Sequence, residues 1–163
     1  MASRIAPWAL LAARVFMGAF FMYEASNQLA KGWIGGDGLQ RMLTSALRDN
    51  AIPGPYRRFL EDVVLEHDQL FTALVIPGEI AVGVALVLGL MTRPTAVNAL
   101  LMNINFAIMN GVVTSGGLFD LLFIVLEALL LAFAGRQALS VDGVLSRRRG
   151  VGGVWGSVVR RRG

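Results

Sequence analysis

Four runs of this chain are long and apolar enough to be read as membrane helices: about residues 5–27, 71–91, 94–110 and 118–134. A helix needs about 20 apolar residues to cross a bilayer core of about 30 Å. Lipid offers no hydrogen bonds, so only a helix or a closed barrel satisfies the backbone there. Continuous apolar runs without strict alternation select the helix. The expected fold is therefore all-α, an integral membrane four-helix bundle. Residues 1–145 form the bundle domain, 31–70 an extracytoplasmic loop, and 146–163 a basic cytoplasmic tail. Pro94 suits a first helical turn, where its missing N–H costs nothing. Gly116 and Gly117 suit the turn before the fourth span.

Composition agrees. Hydrophobic residues make up 55% of the 163, mean hydropathy is +0.61, and the 16% that are charged gather between Lys31 and Asp68 and beyond Arg136. The chain has no cysteine and one histidine, His67. Disulfides, thiol redox chemistry, iron–sulfur clusters and an intrachain bis-His haem are excluded. No covalent or metal cofactor is expected on this chain. The net charge of +4 lies beside apolar spans, which points to lipid headgroups and not to nucleic acid.

Lysine and arginine counts set the direction. Arg4, Arg93, Arg136 and the triplets Arg147–Arg149 and Arg160–Arg162 fall on one side. Lys31, Arg41, Arg48, Arg57 and Arg58, diluted by acids, fall on the other. Both termini are expected in the cytoplasm of a bacterial or archaeal cell, with the chain multi-pass in the plasma membrane. Trp8 and Trp33 are placed at the inner and outer interfaces. A cleaved leader is the competing reading of the N-terminus; Arg14 interrupts its apolar region, and no prompt small-x-small site follows.

In the loop, Leu39, Met42, Leu43, Ala46 and Leu47 recur at helical spacing, Pro53-Gly54-Pro55 breaks the pattern, and 56–70 resumes it. Two short amphipathic helices on the outer surface are expected, capping the bundle or meeting a partner. His67, in a Glu-His-Asp run, reads as a solvated loop residue.

Ionisable groups inside spans are costly and usually face a bundle interior. Here they are Arg14, Glu24, Glu79, Asp120 and Glu127, with Asn98, Asn103 and Asn105. Glu24, Asn27 and Gln28 share a face by their i, i+3, i+4 spacing. Glu79 is placed about 12 Å below the outer surface at 1.5 Å per residue. Asp120 and Glu127 nearly align, as do Asn98 and Asn105, whereas Asn103 points elsewhere. The candidate constellation is Glu79 as a proton-handling residue, with Glu24, Asn105 and Glu127 around a quinone or other polar pocket. Carboxyl groups in low dielectric can serve as acid and base near neutral pH. Interhelical hydrogen bonding alone is the competing reading.

The second span reads Gly78-Glu79-Ile80-Ala81-Val82-Gly83, then Leu88-Gly89-Leu90-Met91-Thr92-Arg93. This resembles the signature of the DoxX/DoxD family of small membrane proteins. Phe59 to Leu65, Asn103-Ile104-Asn105-Phe106, Gly135-Arg136 and Leu139-Ser140-Val141-Asp142 are similar to later parts of the family pattern. Gly83, Gly89, Arg93 and Arg136 thereby read as structural or topological positions. Where members often carry a lysine near the end of the first helix, this chain has Gln28, with Lys31 one turn on. The resemblance implies four membrane helices and the small, DoxD-type subunit of thiosulfate:quinone oxidoreductase. Quinone is then the candidate substrate. Other membrane or peripheral oxidoreductase subunits are the candidate partners, alongside the lipid bilayer and a second copy of the chain. Catalysis by the chain alone is not expected. An accessory subunit that anchors a larger respiratory or photosynthetic complex without chemistry is the alternative. A small transporter is the third reading, disfavoured by the lack of broken helices or repeats.

Overall fold

The computed structural model describes residues 2–111, 115–133 and 139–148, with side chains over 7–111, 116–133 and 139–145. Every regular element among them is helical: α1 (Ala2–Ala30), α2 (Gly38–Asp49), α3 (Gly54–Phe59) running into one π-helical turn (Leu60–Val64), α4 (Asp68–Leu88), α5 (Thr92–Asn110), α6 (Ser115–Ala132) and α7 (Val141–Arg148). Helices α1, α4, α5 and α6 lie within a few residues of the four apolar runs read from the sequence. Among the described residues, two helical segments, Pro7–Ala30 and Asp68–Leu88, meet the length and hydropathy needed to cross a membrane.

The long helices associate as two antiparallel pairs, α1 with α4 and α5 with α6, and the pairs meet through α4 against α5 and α1 against α6. Lipid-soluble helices associate through close packing of small residues more than through hydrophobicity, and the first pair does so at Gly18 and Gly83. A Cβ on Gly18 would lie 2.6 Å from the Gly83 carbonyl oxygen, and one on Gly83 would lie 2.8 Å from that of Gly18. In the second pair, Ala96, Ala99 and Ala107 are the buried small residues of α5. Pro77, inside α4, has no N–H to return to the preceding turn.

The end at which α4 passes into α5 is tied by a polar knot. Gly89 closes α4 in the left-handed region at φ 65°, the usual glycine stop. Asp142, at the start of α7, accepts hydrogen bonds from Met91 N–H, Thr92 N–H and the Thr92 hydroxyl at 2.9–3.0 Å. It thus caps α5 from a distant part of the chain. Its own N–H reaches the Gly89 carbonyl at 3.2 Å. Arg14, fully buried, donates to the Leu139 carbonyl at 2.9 Å. Arg93 is exposed on the first turn of α5. Arg136 and the tail beyond Arg148, with its Trp155 and second arginine triplet, lie outside the described residues, and so does the side chain of Arg4.

At the opposite end, α2 lays Leu39, Leu43, Ala46 and Leu47 onto the same core as Ala25, Ile76 and Met109, so it caps the long helices. Asn50 Nδ2 donates to the Met109 carbonyl at 2.6 Å, and Arg57 to the Leu47 carbonyl at 2.7 Å. The Gln69 amide bonds Gly35 N–H and the Gly36 carbonyl at 2.8 and 2.7 Å, pinning the α1–α2 turn to α4. That turn carries Trp33 inward. It is 6% exposed, an interior residue and not the interfacial belt residue expected for it. Trp8, by contrast, is 58% exposed. His67 is exposed beside the Val63 carbonyl.

Candidate functional site

Below the α2 cap lies a cavity of about 420 Å³, bounded by α1, α4, α5 and the start of α6. Its polar wall is Glu24, Asn27, Gln28 and Lys31 from α1 and the turn after it, Glu79 from α4, Asn103 and Asn110 from α5, and Asp120 from α6. The helical period explains the α1 contribution, since residues three and four apart stack on one face. Phe20, Phe21, Phe106 and Phe119 supply apolar surface.

Two buried carboxyl–amide pairs define the chemistry. Gln28 Nε2 donates to Glu79 Oε1 at 2.8 Å across the α1–α4 contact, and Glu79 is 1% exposed. Asn103 Nδ2 donates to Glu127 Oε1 across the α5–α6 contact, and Glu127 is 0% exposed. In each pair the second carboxyl oxygen is buried without a hydrogen-bond partner among the described residues. Buried polar atoms are nearly always bonded, so each marks a place where a proton or a ligand atom completes the set. Glu79 opens on the cavity, whereas Glu127 sits behind Asn103 and does not line it. At the rim, Asn110 Nδ2 donates to Asp120 Oδ2 at 2.8 Å, and Asn27 Nδ2 reaches Glu24 Oε2 at 3.5 Å.

Of the four candidates read from the sequence, Glu24 and Glu79 meet on this cavity. Glu127 adjoins it through Asn103. Asn105 is on another face of α5: exposed, it accepts the Tyr56 hydroxyl at 2.8 Å and donates to the Leu101 carbonyl. Burial raises the pKa of the Tyr56 hydroxyl above its ordinary value, so it stays a donor to Asn105. Asn98 is exposed. Sequence reasoning gave Gln28 and Asn103 no site role, although they hold the two buried glutamates. Among the described residues no three His, Cys, Asp or Glu side chains converge as a metal site.

The sequence matches the family model described as TQO small subunit DoxD over residues 10–156. The chain belongs to the DoxD family. No curated protein and no solved structure matches it. The structure gives physical reasons for several of the residues on which the resemblance rested. Gly83 lets α4 touch α1 at the level below Glu79. Gly89 turns α4 into α5 beside Arg14. The Leu-Ser-Val-Asp segment ends in the residue that caps α5. These positions shape the DoxD scaffold, while Glu79 and Gln28 shape the cavity.

Proposed function

We propose that this DoxD-family chain is the small membrane subunit of a quinone-linked oxidoreductase, and that the cavity beside Glu79 is where a quinone exchanges protons. The chain crosses the membrane four times with both termini cytoplasmic. α5 and α6, of 19 and 18 residues, extend about 27–29 Å at 1.5 Å per residue, enough for the hydrocarbon core. The Lys/Arg asymmetry orients them. Family membership supports the oxidoreductase setting.

One observation carries the assignment of the cavity: Glu79 lines it and keeps one carboxyl oxygen, Oε2, buried without a hydrogen-bond partner among the described residues. Reducing a quinone to a quinol consumes two electrons and two protons. With no cysteine and one histidine, the chain draws the electrons from a partner subunit. Gln28 fixes one oxygen of Glu79 and leaves the other to give a proton to a quinone carbonyl oxygen. Glu24 and Asp120, at the rim of the same cavity, pass replacement protons from the outer aqueous side. Glu127 adjoins this path behind Asn103, and Asn105 ties Tyr56 of α3 to α5.

Glu79→Gln keeps the shape and removes the proton. In membranes carrying the assembled complex it lowers quinone reduction while the protein inserts normally. Unchanged turnover at normal expression overturns the proposal and favours a subunit that anchors the complex without chemistry, a role that would also tolerate Glu79→Ala.

A further inference from the structure

Beside the acidic cavity is a second chamber, of about 270 Å³ and almost wholly apolar. Phe71 and Val75 of α4 and Met102 of α5 form its walls, and Leu43, Tyr56 and Leu60 come from the outer cap. Trp33, Met42 and Phe106 line both spaces. The partition between them is therefore made of side chains, which can turn aside without unfolding a helix. The roof is specified with care. The π-helical turn, closed by Leu65 N–H to the Leu60 carbonyl at 2.9 Å, directs both Leu60 and Val64 inward, and both are buried. The Tyr56–Asn105 hydrogen bond fastens the same segment to α5. Single π turns inside helices are recurrent at functional sites.

We infer that one amphiphile occupies both spaces, with a quinone ring in the acidic cavity and the first isoprene units of its prenyl chain passing between Trp33, Met42 and Phe106 into the apolar chamber. This rests on the quinone reading above and adds how the molecule is held. The polar wall and the apolar wall lie side by side, in the arrangement of a ring head joined to a hydrocarbon chain. A dry cavity of about 150 Å³ already accepts benzene, so the chamber has room for more than one five-carbon unit. The rings of Tyr56, Phe71 and Phe106 give flat faces that suit the planar, methyl-branched alkene of a prenyl chain. Lipid tails are as apolar as the chamber lining. The chamber therefore selects by shape, and its effect on affinity is modest.

Trp33, on the shared wall, is the reporter. The full chain, with Trp8 and Trp155 replaced by phenylalanine, is placed in proteoliposomes. It is titrated with a dimethoxybenzoquinone carrying no chain and with the same ring carrying two isoprene units, following quenching of Trp33 fluorescence. The expected result is tighter binding of the prenylated ring. Val75→Phe, which fills the chamber without touching the acidic cavity, then weakens the prenylated ring by about tenfold, the low end for pocket discrimination by small groups. The bare ring is unchanged. Met102→Ala, which removes a wall, gives a second measure if Val75→Phe folds poorly: it weakens the prenylated ring alone. If the prenylated ring binds no tighter than the bare one, or if a folded variant weakens both equally or neither, the inference is overturned. If neither ring quenches Trp33, the quinone reading itself falls, which is a separate outcome from failure of the chain chamber.

Discussion

The two helix pairs solve the same problem and end in different places. In α1–α4 and in α5–α6 alike, a glutamate on the second helix takes an amide N–H from the first and keeps one oxygen buried without a partner. Glu79 faces a cavity. Glu127 is shut in behind Asn103. Burial and hydrogen bonding are thus nearly matched, and access differs. Polar groups within membrane helices serve both packing and function, and access to the cavity is the feature in which the two glutamates differ.

The sharpest way to break this comparison is to neutralise each glutamate in turn. Glu79→Gln should cut quinone-linked turnover by about 100-fold, the lower range for losing a positioned acid or base. Glu127→Gln keeps a bonding partner for Asn103 and should leave turnover within about threefold, since an interhelical hydrogen bond in a membrane is worth only about 0.6 kcal/mol on average. Steady-state assays on membranes with matched subunit levels decide it. A larger loss from Glu127→Gln would make the sealed pair the working one.

Next in size is the helix contact beneath Glu79. A methyl group on Gly83 must displace the Gly18 backbone or Met22, and such overpacking costs about 1–3 kcal/mol. Gly83→Ala should therefore lower the thermal unfolding midpoint in detergent. It should also loosen the Gln28–Glu79 register, so turnover falls with it. The buried α5 positions facing α6 already carry alanines, and Ala99→Gly there should cost about 1 kcal/mol, the helix-interior cost of glycine, and spare turnover. Equal loss of turnover from both would show that the two pairs act as one unit.

The knot where α4 passes into α5 joins the pairs. Asp142 caps α5 while its N–H holds the end of α4. Asp142→Ala should cost about 1–2 kcal/mol, the range for a lost N-cap, read as a lower unfolding midpoint. Because the knot lies at the opposite end from the cavity, quinone affinity should hold. Weakened affinity would show that the spacing between pairs is set there.

How much of this was legible follows from which quantity each feature depends on. Helix positions are read directly from the apolar runs, because a long apolar segment satisfies its own backbone as a helix of fixed rise. The shared face of Glu24, Asn27 and Gln28 is also local, being a matter of period. Pairing across helices is not. Gln28 and Glu79 are 51 residues apart, and helices apolar on every side carry little information about their rotation. Spacing alone therefore places Asn105 toward the interior, whereas Asn103, two residues away and on another face, holds Glu127. Trp33 misled for a similar reason. An interfacial tryptophan and a buried one have the same sequence context until the glycine turn that folds it inward is seen. The knot escaped because Asp142 lies in a polar segment with no apolar period, and its worth depends on a turn 50 residues earlier.

The smallest expected effect contrasts the α2 cap with the long helices. On α2, Asp49 is fully exposed and its carboxyl is held below the usual range by hydrogen bonds from Arg48 and Ser45 and by the charge of Arg48. A carboxyl whose pKa is lower folded than unfolded stabilises the fold above its unfolded value and loses that contribution as pH falls through the folded one. Asp49→Asn should therefore be slightly less stable than the parent at neutral pH. The two should converge once the medium is more acidic than about pH 4, the ordinary range of an aspartate, and continue to converge below it. Salt should shrink the difference, since exposed ion pairs are screened and weak. The measurement is the unfolding midpoint of each protein across pH at two ionic strengths. A difference that persists in acid would mean that Asp49 acts through shape and not charge. A change in turnover would mean that the cap is coupled to the cavity it covers, and the division between a scaffold and one accessible glutamate would have to include α2.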